Sequence, residues 1–249
     1  MRVLVTGGAR RIGAAIVRHL VAAGHRVAVH HHDSHEEADA LAVELGVALV
    51  TADLSDADEA GGLIDAAAAA LGGPVEGLVN NASLFAWDAL PLGDYAGLDR
   101  HMRVNAGAPV LLASVLAAQA GLGEGAVVNL LDQKLANPNP DFLTYTLSKA
   151  ALAEATTLLA MALAPRVRVN AVSPGLSLPS LDQSAAEFDA VARANLLERR
   201  VAVDDIAATV AHLLTARSIT GQNIFVDCGQ RFVKRDGDVM FEGRERPDG

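Results

Sequence analysis

Short apolar runs alternate with longer amphipathic stretches along the whole chain, which predicts a repeating strand–helix order. Residues 2–6 (RVLVT) form an apolar run that stops at Gly7-Gly8. Residues 12–23 then carry a helical period, closed by Gly24. The punctuation recurs in strand 27–29, helix 36–45 closed by Gly46, strand 48–50 and helix 58–71. Strand 77–79 leads into Asn80-Asn81-Ala82-Ser83. Residues 98–119 predict a long helix, kinked or locally broken at Pro109, ahead of strand 126–131. Helix 145–164 ends at Pro165, and strand 167–172 ends before Pro174-Gly175. A loop with a short helix follows, then helix 203–214 and strand 224–226.

The strands are short, continuous in apolar character and rich in β-branched residues, as expected when both faces of a sheet are covered. The fold class is therefore α/β: a single-domain, doubly wound parallel sheet of the Rossmann type. The domain spans residues 1–229. A polar tail, 230–249, is either frayed or docked on a neighbour, whose pocket Arg231 or residues 239–241 could close, and Val239-Met240-Phe241 favours docking.

Composition adds three points. The 249 residues suffice for a sizeable core, and 51% of them are apolar. A net charge of −10 argues against nucleic acid or an anionic membrane as partner. The one cysteine, Cys228, allows no internal disulfide and reads as a small packed side chain. Met1 runs straight into a strand without a signal-peptide pattern, and no apolar stretch is long enough to span a bilayer, so a cytoplasmic location is expected.

Between the first strand and first helix lies Thr6-Gly7-Gly8-Ala9-Arg10-Arg11-Ile12-Gly13. In an open α/β sheet a pyrophosphate sits at such a turn, because glycines admit the backbone and the helix N-terminus supplies N–H groups. Asp53-Leu54 and Asn80-Asn81-Ala82 follow at later strand ends. Farther on come Asn105, Tyr145 with Lys149 four residues later, and Pro174-Gly175. Taken together these motifs resemble the short-chain dehydrogenase/reductase family, over nearly the whole chain and in the right order. The chain departs from that family's pattern at Arg11 and Ser83, which stand where glycines are usual, and at Asp132, which stands where serine is usual.

Tyr145 and Lys149 share one helix face. A phenol titrates at about 10 in isolation, and a neighbouring ammonium is expected to lower that value. The resemblance makes Tyr145 the acid, gives Lys149 a hold on the nicotinamide ribose, and places Asn105 on a water-linked proton path. It also implies cofactor contacts from Gly7, Arg10, Arg11, Ile12, Gly13, Asp53, Leu54, Asn81, Ala82, Ser83, Tyr145, Lys149, Pro174, Gly175 and Ser177.

An ionised aspartate at 132 only accepts hydrogen bonds and repels a developing alkoxide. It therefore argues against simple ketone chemistry and suits a substrate that needs a proton on nitrogen. A carboxyl in a dry pocket can also hold its proton and donate it. The four deviations, Arg11, Ser83 with Phe85, Asp132 and Pro174-Gly175-Leu176-Ser177, resemble the pteridine reductase and dihydromonapterin reductase branch. That branch implies a flat pterin-like substrate held by Arg11, Ser83, Phe85, Asp132, Tyr145 and Leu176, with Phe85 stacked on one ring face. The loop 176–200 is expected to cover it. Trp87 reads either as a pocket wall or as a packing residue.

The second strand ends in His30-His31-His32-Asp33-Ser34. Arg10, His32 and Ser34 suit the extra phosphate of NADP(H). Asp33 opposes it if it points inward, so NAD(H) stays open. No metal is expected from the histidine run, since neighbouring strand positions alternate faces. The resemblance implies a homotetramer, and helices 98–119 and 145–164 are Ala/Leu-rich enough to pair between subunits. Two other readings stand beside the pterin one: a short-chain reductase of another carbonyl or imine, and a non-catalytic dinucleotide-binding regulator.

Overall fold

The apolar runs become strands that pair side by side in a parallel sheet. The structure is a computed structural model, and it describes residues 1–88, 90–179 and 183–238. The strands are β1 (Arg2–Val5), β2 (Arg26–His31), β3 (Ala48–Thr51), β4 (Gly77–Asn80), β5 (Gly125–Leu130), β6 (Val167–Pro174) and β7 (Asn223–Val226). Their order is β3-β2-β1-β4-β5-β6-β7, and every pair is parallel. The order reverses between β1 and β4, and a crevice forms there beyond the strand ends. Thr6 and Asn80-Asn81 stand at that crevice.

The helices are α1 (Arg11–Ala22), α2 (His35–Leu45), α3 (Ala57–Leu71), α4 (Ala96–Met102), α5 (Ala108–Ala118), α6 (Leu143–Leu163), α7 (Ala185–Ala192) and α8 (Val203–Thr215). The period-two geometry of β1 explains how both faces are covered. Val3 and Val5 join the core shared with α1 and α8, while Leu4 points into the core under α3 and α5. Each fully buried Val or Leu contributes roughly 1.5–3 kcal/mol of transfer free energy.

Three elements differ from expectation, the first being β6, which runs on to Pro174 although the strand was expected to end before it. β2 runs on through His30 and His31, whose rings are 2% and 6% exposed. Their polarity hid the end of a strand that is nonetheless buried. The long helix 98–119 is α4 and α5 joined by a π-helical turn, Arg103–Gly107. Ala108 N–H bonds Arg103 O, five residues back. Pro109 has no N–H to continue the ladder, so the break falls in the turn just before it. Asn105 sits inside that turn.

A buried polar chain ties the sheet to α6. Asn80 Nδ2 donates to Asn129 Oδ1 (2.8 Å), Asn129 Nδ2 to Thr156 Oγ1 (2.9 Å), and Thr156 Oγ1 to Leu152 O (2.8 Å). It fixes the rotation of the helix that carries Tyr145 and Lys149. Among the described residues, no helix is long and apolar enough to cross a membrane.

Candidate active site

The glycine turn is pinned from two sides. Asn81 Nδ2 donates to Thr6 O and Gly7 O, both at 2.9 Å, and the Thr6 hydroxyl accepts from Asn81 N and Ala82 N at 3.0 Å. Gly7 has φ +58°, and a Cβ there would lie 2.9 Å from Ala82 Cα. At Gly13 a Cβ would come within 2.2 Å of Gly7 O, so no side chain fits. Arg11, at a position where the resemblance expects glycine, has a left-handed backbone at φ 55°. Its guanidinium donates to Pro179 O (2.9 Å), which ties the turn to the loop after β6. Among the described residues no side chain caps α1, and its first turn holds no acid. Those N–H groups, beside Arg10, Arg11 and Ile12, suit a pyrophosphate.

From the other side, His30 holds the same turn. Gly7 N donates to His30 Nδ1 (3.2 Å), and Nε2 donates to Ala52 O (3.0 Å), which fixes the neutral tautomer. Burial pushes its pKa from 6.5 down to about 4. His31 is buried toward Thr51, while His32 is exposed, so the three rings diverge. Asp33 pairs with His32 and has a side chain 87% exposed, pointing into solvent. Arg10 lies 3.9 Å from Glu37 on α2, and Ser34 precedes that helix without capping it.

Other expected cofactor residues take mixed positions. Asp53 accepts from Ser55 N, which lowers its pKa. Leu54 is a core side chain under α3, so it turns away from the crevice. Gly175 is packed against Asp227 and Gln230, where a Cβ would meet Gln230 Oε1 at 2.7 Å. Leu176 N donates to the same oxygen. Pro174 ends β6, and Ser177 is partly buried beyond it.

β5 ends at Leu130, and Leu131 N still reaches Val172 O, so Asp132 leaves the sheet in extended conformation. One Asp132 oxygen caps the following 3-10 turn by accepting from Lys134 N (2.8 Å). The other accepts the Tyr145 hydroxyl at 2.8 Å. Burial pushes the Asp132 carboxyl upward, against the two donors. Tyr145 is likewise held well above its ordinary phenol value, by burial first and then by the Asp132 charge. This reverses the effect expected of Lys149. Its Nζ donates to Leu130 O (2.8 Å) and lies 5.8 Å from the Tyr145 ring centroid, so its attraction for a phenolate is outweighed by burial and the Asp132 charge. Burial brings Lys149 itself down to about 8.

The Asn105 carboxamide is fully engaged. Oδ1 accepts from Leu84 N (2.7 Å) and the Ser83 hydroxyl (3.3 Å), and Nδ2 donates to Leu84 O (2.9 Å) and Ser148 Oγ (3.0 Å). Its side chain therefore anchors the strand-end loop to α6. The loop then presents Phe85, which is 47% exposed, stacks on Phe142 at 4.3 Å and meets Tyr145 edge-on at 4.8 Å. Trp87 packs edge-on to Phe142 at 5.0 Å. Phe142 was missed from sequence, although an aromatic three positions before Tyr145 on a helix start was a visible signal. Lys134, 4% exposed, was missed too, because a lysine in a polar loop reads as solvated.

Residues 7–231 match the family model described as Enoyl-(Acyl carrier protein) reductase. The chain belongs to this family of short-chain dehydrogenase/reductase oxidoreductases. It is similar to the FolM alternative dihydrofolate reductase 1 of Brucella suis, solved in complex with NADP, at 42% identity and TM-score 0.89, covering 94% of this chain and 96% of that one. It is 29% identical to dihydromonapterin reductase of Klebsiella pneumoniae, covering 92% of this chain and 95% of the relative. It is also 33% identical to L-xylulose reductase of Bos taurus, covering 92% and 95%.

His30 makes a pH prediction. The unfolded chain binds this proton below pH 6.5, the folded protein only below about 4. The stability it supplies is present at neutral pH and is lost as pH falls through that window, by about 3 kcal/mol. His30→Gln, which keeps an acceptor and a donor, removes this component. Urea unfolding at a series of pH values is expected to show a steeper acid decline in the wild type, and parallel declines would contradict the assignment.

Proposed function

We propose that the protein reduces a dihydropterin, or the related pterin or folate, to the tetrahydro form with NADPH. The observation that carries this reading is the 2.8 Å hydrogen bond from Tyr145 to Asp132, beneath the Phe85–Phe142 aromatic wall. A carboxyl behind the tyrosine suits delivery of a proton to a ring nitrogen better than to a ketone or thioester oxygen. The bound cofactor would supply the hydride to the carbon of a ring C=N bond. Tyr145 gives its hydroxyl proton to the nitrogen of that bond and recovers one from the Asp132 carboxyl, which solvent reprotonates. Phe85 offers its half-exposed ring as a stacking platform, with Leu176 and Ser83 at the rim. Lys149 would hold the nicotinamide ribose. The glycine turn, Arg10, Arg11 and Ile12 would hold the pyrophosphate.

For the cofactor, Arg10, His32 and Ser34 would meet the extra phosphate near the β2 end, with the Asp33 carboxylate largely in solvent, 3.5 Å from His32 Nδ1. That arrangement favours NADP(H) over NAD(H), in keeping with the NADP complex of the Brucella relative. We also propose a homotetramer. Leu147, Leu158 and Met161 on α6 are 46%, 56% and 74% exposed, an apolar face that a second copy would cover. Light scattering should report a tetramer, and a monomer would end that proposal.

NADPH oxidation with dihydrobiopterin, dihydromonapterin, dihydrofolate and β-ketoesters tests the activity. The expected result is pterin or folate turnover that falls by about 10²-fold or more in Asp132→Ala, with a lower KM for NADPH than for NADH. Turnover of ketoesters alone, indifferent to Asp132, contradicts the reading.

A further inference from the structure

The described part of the C-terminal tail is docked, and it is docked on its own chain beside the proton-transfer pair. After β7 the chain makes a 3-10 turn, Gln230–Phe232, that packs against the 3-10 turn Gln133–Ala136 following Asp132. Asn137 Nδ2 donates to Val233 O at 2.7 Å. Asp238 N donates to Asp141 Oδ2 at 2.7 Å. Between these two clamps the Lys134 ammonium meets Asp238 Oδ2 at 3.0 Å and Asn139 Oδ1 at 2.6 Å. Its side chain is 5% exposed and that of Asp238 is 19% exposed. The same ammonium lies 5.5 Å from the centroid of Phe142, the ring that backs Phe85.

An ion pair this buried is costly to assemble and does not by itself favour folding. It does fix geometry, because either charge alone in that place would be strongly disfavoured. Lys134 is also the residue whose N–H is capped by Asp132. Moving Lys134 therefore moves the Asp132 carboxylate.

We propose that Asp238 is a positioning residue for the proton-transfer pair: latched to Lys134, it fixes the turn that carries Asp132 and sets a negative charge beside the Asp132–Tyr145 hydrogen bond. This rests on the reading that Asp132 and Tyr145 move the proton. The Asp238 carboxylate disfavours ionisation of both groups, adding to burial. Other charged or titratable groups face the pair as well. Lys149 comes from α6 and Lys134 from the turn. His101 comes from α4, its ring 6.3 Å from Tyr145. Asp88 bonds Thr144 at the start of α6, and Asp141 lies under the tail. Residues 230–238 of the tail thus act at the site of their own chain. Val239-Met240-Phe241 lie outside the described residues.

The chain has two tyrosines, Tyr95 and Tyr145. A Tyr95→Phe background labelled with 3-fluorotyrosine therefore reports Tyr145 alone by fluorine NMR, without any substrate. Asp238→Asn keeps the shape and an acceptor for Lys134 but removes the charge. It is expected to lower the fluorotyrosine pKa by about half a unit or more, while Asp238→Glu and Lys134→Arg, which keep both charges, stay near the parent. Under the proposal, kcat falls in Asp238→Asn with KM for NADPH unchanged. A Tyr145 titration in Asp238→Asn that overlays the parent overturns the proposal. The NMR shift with no turnover of any pterin would uphold this placement of Asp238 and defeat the substrate reading instead.

Discussion

A carboxylate taken out of water must find donors or a counter-charge, or else keep its proton. Asp132 has two neutral donors, the Lys134 amide and the Tyr145 hydroxyl, and its nearest cations are committed elsewhere. Lys149 is spent on a backbone carbonyl, and Lys134 is spent on Asp238 and Asn139. Burial consequently pushes the titration of both the carboxyl and the phenol upward. Much of the surrounding architecture serves to hold that arrangement: the Asn129–Thr156 link sets the rotation of α6, the Asn105 carboxamide ties the Phe85 loop to it, and the aromatic wall keeps the pair dry.

The cofactor end obeys a different constraint, which is space. Gly13 leaves no room for a methyl group against Gly7 O, and the turn is gripped by Thr6, Asn81 and a neutral His30. These contacts fix where the N-terminus of α1 points. Arg11 accepts a left-handed backbone, which costs a non-glycine residue roughly 1–2 kcal/mol, and in return reaches the loop after β6. One side chain thus joins the two halves of the crevice, the turn that would bind the cofactor and the loop expected over the substrate.

Much of this was legible in the sequence. Strand and helix order followed from apolar period, and the parallel sheet followed from the order. The ends of elements were less legible where chemistry overrode pattern: His30 and His31 extend β2 although they are polar, and Pro109 marks a π turn rather than a simple kink. At the site, Asp132 and Tyr145, each expected to handle a proton, lie within hydrogen-bond distance. The net shift of Tyr145 differs from expectation because helical spacing places Lys149 on its face without showing the burial and the Asp132 charge that outweigh it. Lys134 and Asp238 were out of reach, since they meet through a tail whose path depends on tertiary contacts, whereas Phe142 carried a visible signal three positions before Tyr145.

The central claim is that the carboxyl at position 132 directs chemistry toward ring nitrogen and away from carbonyl oxygen. The most direct measurement is kcat/KM for a dihydropterin and for a β-ketoester, in the wild type and in Asp132→Ser. The ratio of the two is expected to swing toward the ketoester by about 10²-fold or more. An unchanged ratio would contradict it.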